Sequence, residues 1–507
     1  MSKLKSSVWS TILASGILYG LAYPNYPEFP FGVLAWFALV PLLLEIKKTS
    51  SFKAYLSIIL PVFAISSPIG FWWTSYYSWQ TFFVCYFTQL LSLYFVFVLH
   101  FGLQKRFGWR RSLILFPFLW VFVEWTTHLL PHNLQVLNIA YTQAHLLYFN
   151  QFADLAGIWG IAFWVISLNV LITLAIETKA KKYYLFTTTC VLLALIYSVW
   201  ILHINPSSAI GSGNTKTKVA LIQTNIDSYA VNDSLIVQKT LNQIISLSDS
   251  AVRTHKPDLV VLPEASFPFS LFKDKSFLDF ARRNIVNWNT NVAIGYVNYE
   301  DSTSFKNLAL VFTPQLAYFW DSLKIKEADI KIYQKEFGLP FIEFMPYCKN
   351  CNSLKGRRLI KGSEPYTFLY ANTRSEKFKV ALSICWEQTY PNKIASLVRD
   401  GAEYITMMNN DSWFGKTPGA KYLLSFTKLR AIENRRAIAR CSNGGISCFI
   451  DPFGKIYGEI PWFTANISSQ DVLAVNKKSF YTKHPNFFVI LICSIMVGLI
   501  LYFWIKK

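Results

Sequence analysis

The sequence predicts a bundle of membrane-crossing helices carrying one large mixed α/β layered domain, which is inserted between the seventh crossing and an eighth. Three observations carry this. Hydrophobic residues make up 53% of the 507 and charged ones only 15%, which is too apolar for an ordinary soluble protein. Nearly all the long apolar runs lie before Ile204 or after Phe487, and the stretch between them has globular composition. Within that stretch, short β-branched runs alternate with helical ones, the pattern of a layered α/β domain.

Crossings are expected at Ser7–Ala22, Phe31–Glu45, Ala54–Trp73, Phe82–Gly102, Leu113–Leu130, Phe152–Ile176, Tyr184–Ile204 and Phe487–Trp504. Most are near or somewhat under the roughly 20 apolar residues that span the hydrocarbon. The second, around Ala35-Trp36-Phe37-Ala38-Leu39-Val40, is short. The net charge is +20, yet in the first 204 residues Lys and Arg occur only at 3, 5, 47, 48, 53, 105, 106, 110, 111, 179, 181 and 182. Clusters at membrane-crossing intervals fit the positive-inside rule. They do not form the Arg-rich stripe with interleaved aromatics that nucleic acid calls for, so no nucleic-acid partner is expected.

With the N-terminus inside, every basic cluster falls on the inner side. The opposite connections, Tyr23–Pro30, Ser75–Thr81 and Pro131–Gln151, contain no Lys or Arg. Seven crossings then put the α/β domain outside, and the eighth returns Lys506 and Lys507 to the cytoplasm. Met1–Lys5 and the apolar run after it begin like a signal peptide, but no small-residue cleavage pattern ends the run; it is expected to be retained. The domains follow: 1–206 for the seven-span part, 207–215 for a Ser/Gly-rich linker, 216–482 for the α/β domain, and 483–507 for the last span and tail.

Glu124 is the notable carboxylate inside a span. Such a group marks a functional site by default; a hydrogen bond to a neighbouring helix near the outer interface explains it equally. The uncharged loop Pro131–Gln151, with Asn133, Gln135, Asn138, Tyr141 and Gln143, is expected to lie over the interface. In the α/β domain, strands are expected at Val219–Thr224, Leu259–Leu262, Asn291–Tyr296, Leu308–Phe312, Lys379–Ile384 and Tyr404–Met408, with helices at Ser234–Thr254 and Lys275–Trp288. Over residues 205–505, Lys and Arg number 35 against 24 Asp and Glu, a balance that favours anionic lipid head groups.

Three stretches carry the chemistry. Leu259-Val260-Val261-Leu262-Pro263-Glu264-Ala265-Ser266-Phe267-Pro268 is a buried strand ending in a carboxylate. Ile332-Tyr333-Gln334-Lys335-Glu336-Phe337-Gly338-Leu339-Pro340-Phe341, with Glu343 just beyond, reads as a loop that brings Lys335 to the same cleft. Phe378-Lys379-Val380-Ala381-Leu382-Ser383-Ile384-Cys385-Trp386-Glu387 is a strand ending in a thiol. Ionisable groups at strand ends are where α/β sheets gather their active sites. The strand into Cys385 is expected to turn into a helix, whose N-terminus lowers the thiol pKa and leaves the sulfur facing a cleft.

Glu264, Lys335 and Cys385 in these contexts resemble the Glu-Lys-Cys triad of the nitrilase superfamily. Asn409-Asn410-Asp411-Ser412-Trp413-Phe414-Gly415, Leu429-Arg430-Ala431-Ile432-Glu433-Asn434-Arg435-Arg436 and Ser442-Asn443-Gly444-Gly445 are similar to it as well. With seven spans before and one after, and with Leu21-Ala22-Tyr23-Pro24 followed by Ala35-Trp36-Phe37-Ala38-Leu39-Val40-Pro41, the whole chain resembles the apolipoprotein N-acyltransferases. The resemblance implies an extracytoplasmic α-β-β-α sandwich in a bacterial inner membrane. It also implies transfer of an acyl chain from a phospholipid to the α-amino group of a diacylglyceryl-cysteine at a lipoprotein N-terminus. Cys385 would be the nucleophile, Glu264 the general base, and Lys335 the oxyanion partner, with Glu343 and Glu387 orienting them. No cofactor and no metal are implied. Trp413, Phe414 and Phe341 are candidates for an apolar lip that receives lipid, or are ordinary core.

The chain departs from the family at Tyr422-Leu423, where a Gln-His pair is common, and at Thr126-Thr127-His128, where an Arg follows the Glu-Trp. Cys348-Lys349-Asn350-Cys351 has no second CxxC to complete a four-Cys zinc site. A local disulfide is the first expectation for a domain outside the cell, ahead of free thiols, with a redox role a distant third. Two other functions remain in view. A membrane-anchored amidase using water as second nucleophile gives no reason for eight spans. A transporter with an inactive outer domain predicts span repeats and several intramembrane charges, which the sequence lacks.

Overall fold

A computed structural model describes the chain except for residues 1–5, 25–28, 133, 135, 137, 213, 227–233, 268–270, 273–278, 320–329, 364–366, 372–375 and 507. It falls into two units. One comprises Met1–Asn205, Thr417–Leu429 and His484–Lys507; the other comprises Pro206–Lys416 and Arg430–Lys483.

The first unit is helical. Among the described residues, Phe52–Phe71, Trp79–Phe107, Ala153–Thr178, Lys181–Ile204 and Phe487–Ile505 are long and apolar enough to cross a membrane, and Ser7–Leu21 and Phe31–Ile46 are shorter apolar helices. Trp109–His128 is also a helix; Arg110, Arg111 and Glu124 lower its hydropathy. The second expected span is broken. A 3-10 turn, Phe31–Trp36, gives way to a short helix, Val40–Ile46, in which Pro41 occupies the first turn where a missing N–H costs nothing. Backbone groups freed by the break find side chains: Leu39 N–H donates to Asn169 Oδ1 (2.9 Å) and Leu42 N–H to Ser15 Oγ (3.1 Å).

The connection Pro131–Gln151 does not simply lie over an interface; much of it is packed. It forms a 3-10 turn, Ile139–Gln143, and a helical turn, Leu147–Asn150. Gln143 is buried, accepts from Trp36 Nε1 (2.8 Å) and donates to Gly32 O (2.8 Å). Asn133 and Gln135 lie outside the described residues. Tyr422 explains one departure from the family pattern. It is buried against Tyr23, Phe71, Trp73 and Phe426, with its hydroxyl donating to Val136 O (2.5 Å). An aromatic ring fills this apolar socket where a Gln would bring an amide needing partners.

The second unit holds two sheets. The first contains β1 (Thr215–Gln223), β2 (Leu259–Val261), β3 (Asn291–Tyr299), β4 (Ser304–Phe312), β5 (Tyr333–Gln334), β6 (Arg358–Leu359) and β13 (Asn466–Ala474), in the order β13-β1-β2-β3-β4-β5 with β6 pairing β4. The second contains β7 (Thr367–Ala371), β8 (Lys377–Ile384), β9 (Tyr404–Asn409), β10 (Ile438–Ser442), β11 (Ser447–Ile450) and β12 (Ile456–Ile460), in the order β12-β11-β10-β9-β8-β7. Each sheet has a parallel centre, β1-β2-β3 in one and β8-β9-β10 in the other, with antiparallel neighbours outside. Their inner faces share one core that includes Val219, Leu221, Val260, Ile294, Leu310, Val380, Leu382, Tyr404 and Cys441. Helix Ser234–His255 packs on β1 and β13, and helix Pro391–Arg399 on β8. This is an α/β sandwich of two sheets with helices outside.

All six expected strands are present. Residues 207–215 are not wholly linker, since Ser207–Ile210 makes a helical turn and β1 starts at Thr215. The described part of the helix expected at Lys275–Trp288 includes a π-helical turn, Ala281–Ile285. Cys348 and Cys351 form a disulfide.

Candidate active site

The site is assembled from the ends of β2, β5 and β8. Glu264 lies three residues past β2, and the backbone around it needs room. A Cβ on Gly295 of β3 would stand 2.7 Å from Pro263 O and 3.1 Å from Glu264 Cα, so only glycine lets the strand pass there. β5 is two residues long and antiparallel to β4. Lys335 leaves it opposite Asn307, which accepts the Lys335 N–H (2.9 Å) on its carbonyl oxygen. The side chain of the same Asn307 donates to Glu264 Oε1 (2.8 Å). One residue of β4 therefore sets both the acid and the lysine.

Lys335 Nζ lies 3.1 Å from Glu264 Oε1 and 2.8 Å from Glu343 Oε1, and only 1% of Lys335 is exposed. Burial works to neutralise it, but Glu264 and Glu343 hold the ammonium well above the usual lysine range. Glu343 also closes its own loop by accepting from Leu339 N–H (2.6 Å).

Cys385 follows β8 directly, in left-handed backbone with φ 50°, and opens a 3-10 turn, Cys385–Thr389. A non-glycine residue there costs about 1–2 kcal/mol. Glu387 holds the turn. Its Oε2 accepts from Ile384 N–H (2.8 Å), while Oε1 accepts from Tyr333 O–H (2.6 Å), Glu336 N–H (2.8 Å) and Phe337 N–H (3.4 Å). This fully buried carboxylate ties the cysteine turn to the lysine loop. The expected lowering of the thiol pKa by a helix is corrected here. Cys385 leads a short turn, and the helix starts only at Pro391. Burial, then the Glu264 carboxylate, push the thiol well above its ordinary value, with Lys335 opposing. A thiol held protonated needs a base, and Glu264 is the carboxylate with the strongest influence on it.

Glu264, Lys335, Glu343, Cys385 and Glu387 thus converge. Trp413 is half-buried and Phe414 only 7% exposed, in a turn after β9, and Phe341 is half-buried in the lysine loop. Phe414 is thus the most buried of the three aromatics. Glu124 belongs to the other unit, where its Oε1 accepts from Ile139 N–H (3.1 Å). Sequence reasoning missed Asn307, Tyr333 and the fully buried Asp411–Arg440 pair (2.8 Å) behind the cluster. Asn307 lies just before the strand expected at Leu308–Phe312, although β4 extends back to Ser304 and buries it.

Comparisons with known proteins give this arrangement a family. Residues 218–475 match the carbon-nitrogen hydrolase model, and residues 15–171 match that of the apolipoprotein N-acyltransferase N-terminal domain. The chain is 30% identical to an apolipoprotein N-acyltransferase of Chlorobaculum tepidum, over 96% of this chain and 94% of that protein. It is 26% identical to the enzyme of the same name from Geobacter metallireducens, over 94% and 91%. Among solved structures, a nitrilase-superfamily member from Saccharomyces cerevisiae is 18% identical, with TM-score 0.36, over 54% of this chain and 93% of that one. With a helical unit and a cysteine-bearing α/β unit matched together along nearly the whole length of such a relative, the chain belongs to the apolipoprotein N-acyltransferases.

Proposed function

We propose that the chain moves a fatty acyl group from a membrane phospholipid to the α-amino group of a diacylglyceryl-cysteine at a lipoprotein N-terminus, through a thioester on Cys385. The family gives the reaction class, N-acyl transfer. The observation that carries the detailed reading is the buried Lys335 ammonium held between Glu264 and Glu343 in the same charge cluster as the Cys385 thiol.

In the first half-reaction Glu264 takes the thiol proton as the sulfur attacks the ester carbonyl carbon. The negative charge on the carbonyl oxygen is stabilised by Lys335 and neighbouring N–H groups. The C–O bond then breaks, and Glu264 returns the proton to the departing lysophospholipid alkoxide. In the second half, the free amine attacks the thioester carbonyl and loses a proton to Glu264; the C–S bond breaks and the thiol is restored. The burial that raises the thiol pKa keeps sulfur protonated between turnovers, so base and nucleophile act together. Glu387 and Glu343 set the positions of turn and loop.

Eight spans with the α/β unit outside the cytoplasm, in a bacterial inner membrane, fit the distribution of Lys and Arg. Trp413 and Phe341 fit a lip for lipid, since burying each methylene is worth about 0.8 kcal/mol. The test is intact mass after incubating the detergent-purified protein with phospholipid and no amine. A fatty-acyl mass is expected on the wild type, removed by hydroxylamine or by a diacylated lipopeptide, and absent from Cys385→Ala. A folded wild type that takes up no acyl mass would overturn the donor and the thioester together.

A further inference from the structure

The clamp built by Glu387 has a requirement of its own. All of its named partners, the Tyr333 O–H, the Ile384, Glu336 and Phe337 N–H groups and, at 3.5 Å, the Ser383 O–H, are donors. An ionised carboxylate is acceptor-only and suits such a set; a protonated one places a sixth donor among five. Burial, however, pushes the Glu387 carboxyl up toward its neutral form. The charge of Lys393 opposes this, followed by the donors of Ile384, Tyr333 and Glu336.

Lys393 lies in the first turn of the helix that follows the cysteine turn, and its side chain is 2% exposed. Its Nζ is 2.5 Å from Glu336 Oε2 and 5.2 Å from the centre of the Tyr333 ring. It therefore touches both residues whose N–H and O–H make the two shortest bonds to Glu387 Oε1. The groups that meet Glu387 are Tyr333, Ser383 and the backbone N–H of Glu336, with Lys393 the cation acting on it; the Glu336 carboxylate is paired with Lys393 and offsets part of that charge. We propose that the buried ammonium of Lys393 is a positioning group for acyl transfer: its charge keeps Glu387 an acceptor, and so holds the Lys335 loop to the Cys385 turn. Lys393 touches no reacting atom. It acts through Glu387, and the proposal rests on the reading of Cys385 as the acylated residue.

The sign follows from the charges. Removing the cation leaves burial less opposed, so Glu387 ionises only at higher pH, and the acid limb of activity moves up. Removing the Glu336 charge does the reverse. The experiment is the rate of Cys385 acylation in mixed micelles of a diacyl phosphoglyceride, read by intact mass from pH 5.5 to 9.5, for the wild type, Lys393→Met, Lys393→Arg and Glu336→Gln. At pH values below the limb, Lys393→Met is expected to be about tenfold slower than wild type for each unit its limb moves, and to recover toward alkaline pH. Lys393→Arg should restore most of the rate, and Glu336→Gln should move the limb down. Melting temperatures identify variants that fail to fold; if Lys393→Met is one, the Lys393→Gln variant takes its place. A folded Lys393→Met with the wild-type limb, or a limb that Lys393→Arg shifts equally, would overturn the proposal. No adduct on the wild type would instead overturn the thioester reading on which it rests.

Discussion

At the scale of single residues, the charges around Cys385 make a prediction that separates a base from a bystander. Glu264 raises the thiol pKa and Lys335 lowers it. Glu264→Gln should therefore make Cys385 alkylate faster with iodoacetamide at pH 8, by about tenfold for each unit the thiol falls, while acyl transfer is lost. Lys335→Met should slow both. Mass mapping of the Cys385 peptide distinguishes it from the other free cysteines. If Glu264→Gln slowed alkylation, the carboxylate's assigned influence on the thiol would be wrong. Glu264 and Cys385 were legible because each ends an apolar run, and Lys335 because its loop resembles the family's. Tyr333 and Lys393 were not, because a buried tyrosine hydroxyl and a buried lysine acquire meaning only when the fold supplies Glu387 and Glu336 as partners. Thiol ionisation was misread for a related reason: burial is invisible in a linear chain.

At the scale of elements, the six strands rich in β-branched residues could be read, and the others resisted for separate physical reasons. β5 and β6 are two residues each, too short to show a period. β10 carries Arg440 in its middle, a charge that breaks an apolar run and is tolerated because Asp411 meets it. β13 is an edge strand, Ser468-Ser469-Gln470-Asp471 at its centre and largely half-exposed, so little selects for apolar residues there. β3 offers the sharpest test. Gly295→Ala forces a methyl into the Pro263–Glu264 backbone, and backbone cannot rotate aside. A loss of about 1–3 kcal/mol in unfolding free energy is expected, with slower Cys385 acylation because Glu264 is displaced. Unchanged stability and rate would show that the strand gives way more easily than its packing implies.

For the whole molecule, composition alone separated an apolar part from a globular one, and the Lys and Arg pattern yields a topology that can be checked directly. Cysteines introduced at Ser50 and Ser212, both exposed, should differ in intact spheroplasts. A membrane-impermeant maleimide should label Ser212→Cys and spare Ser50→Cys until the membrane is opened. The reverse pattern would invert the topology. The linear order of the domains was harder to read. The apparent α/β stretch contributes Thr417–Leu429 to the helical unit, and that segment's mixed polar and apolar sequence shows no sign of it.

The same segment sets a timetable for biosynthesis. Tyr422 fills the socket of Tyr23, Phe71 and Trp73, whose residues leave the ribosome long before it does. At about 5–20 residues per second, roughly 10–40 s separate the emergence of Asn205 from that of Thr417. Through that interval Tyr422 is not there to close the socket, so the packing of Tyr23, Phe71 and Trp73 is completed only late in synthesis.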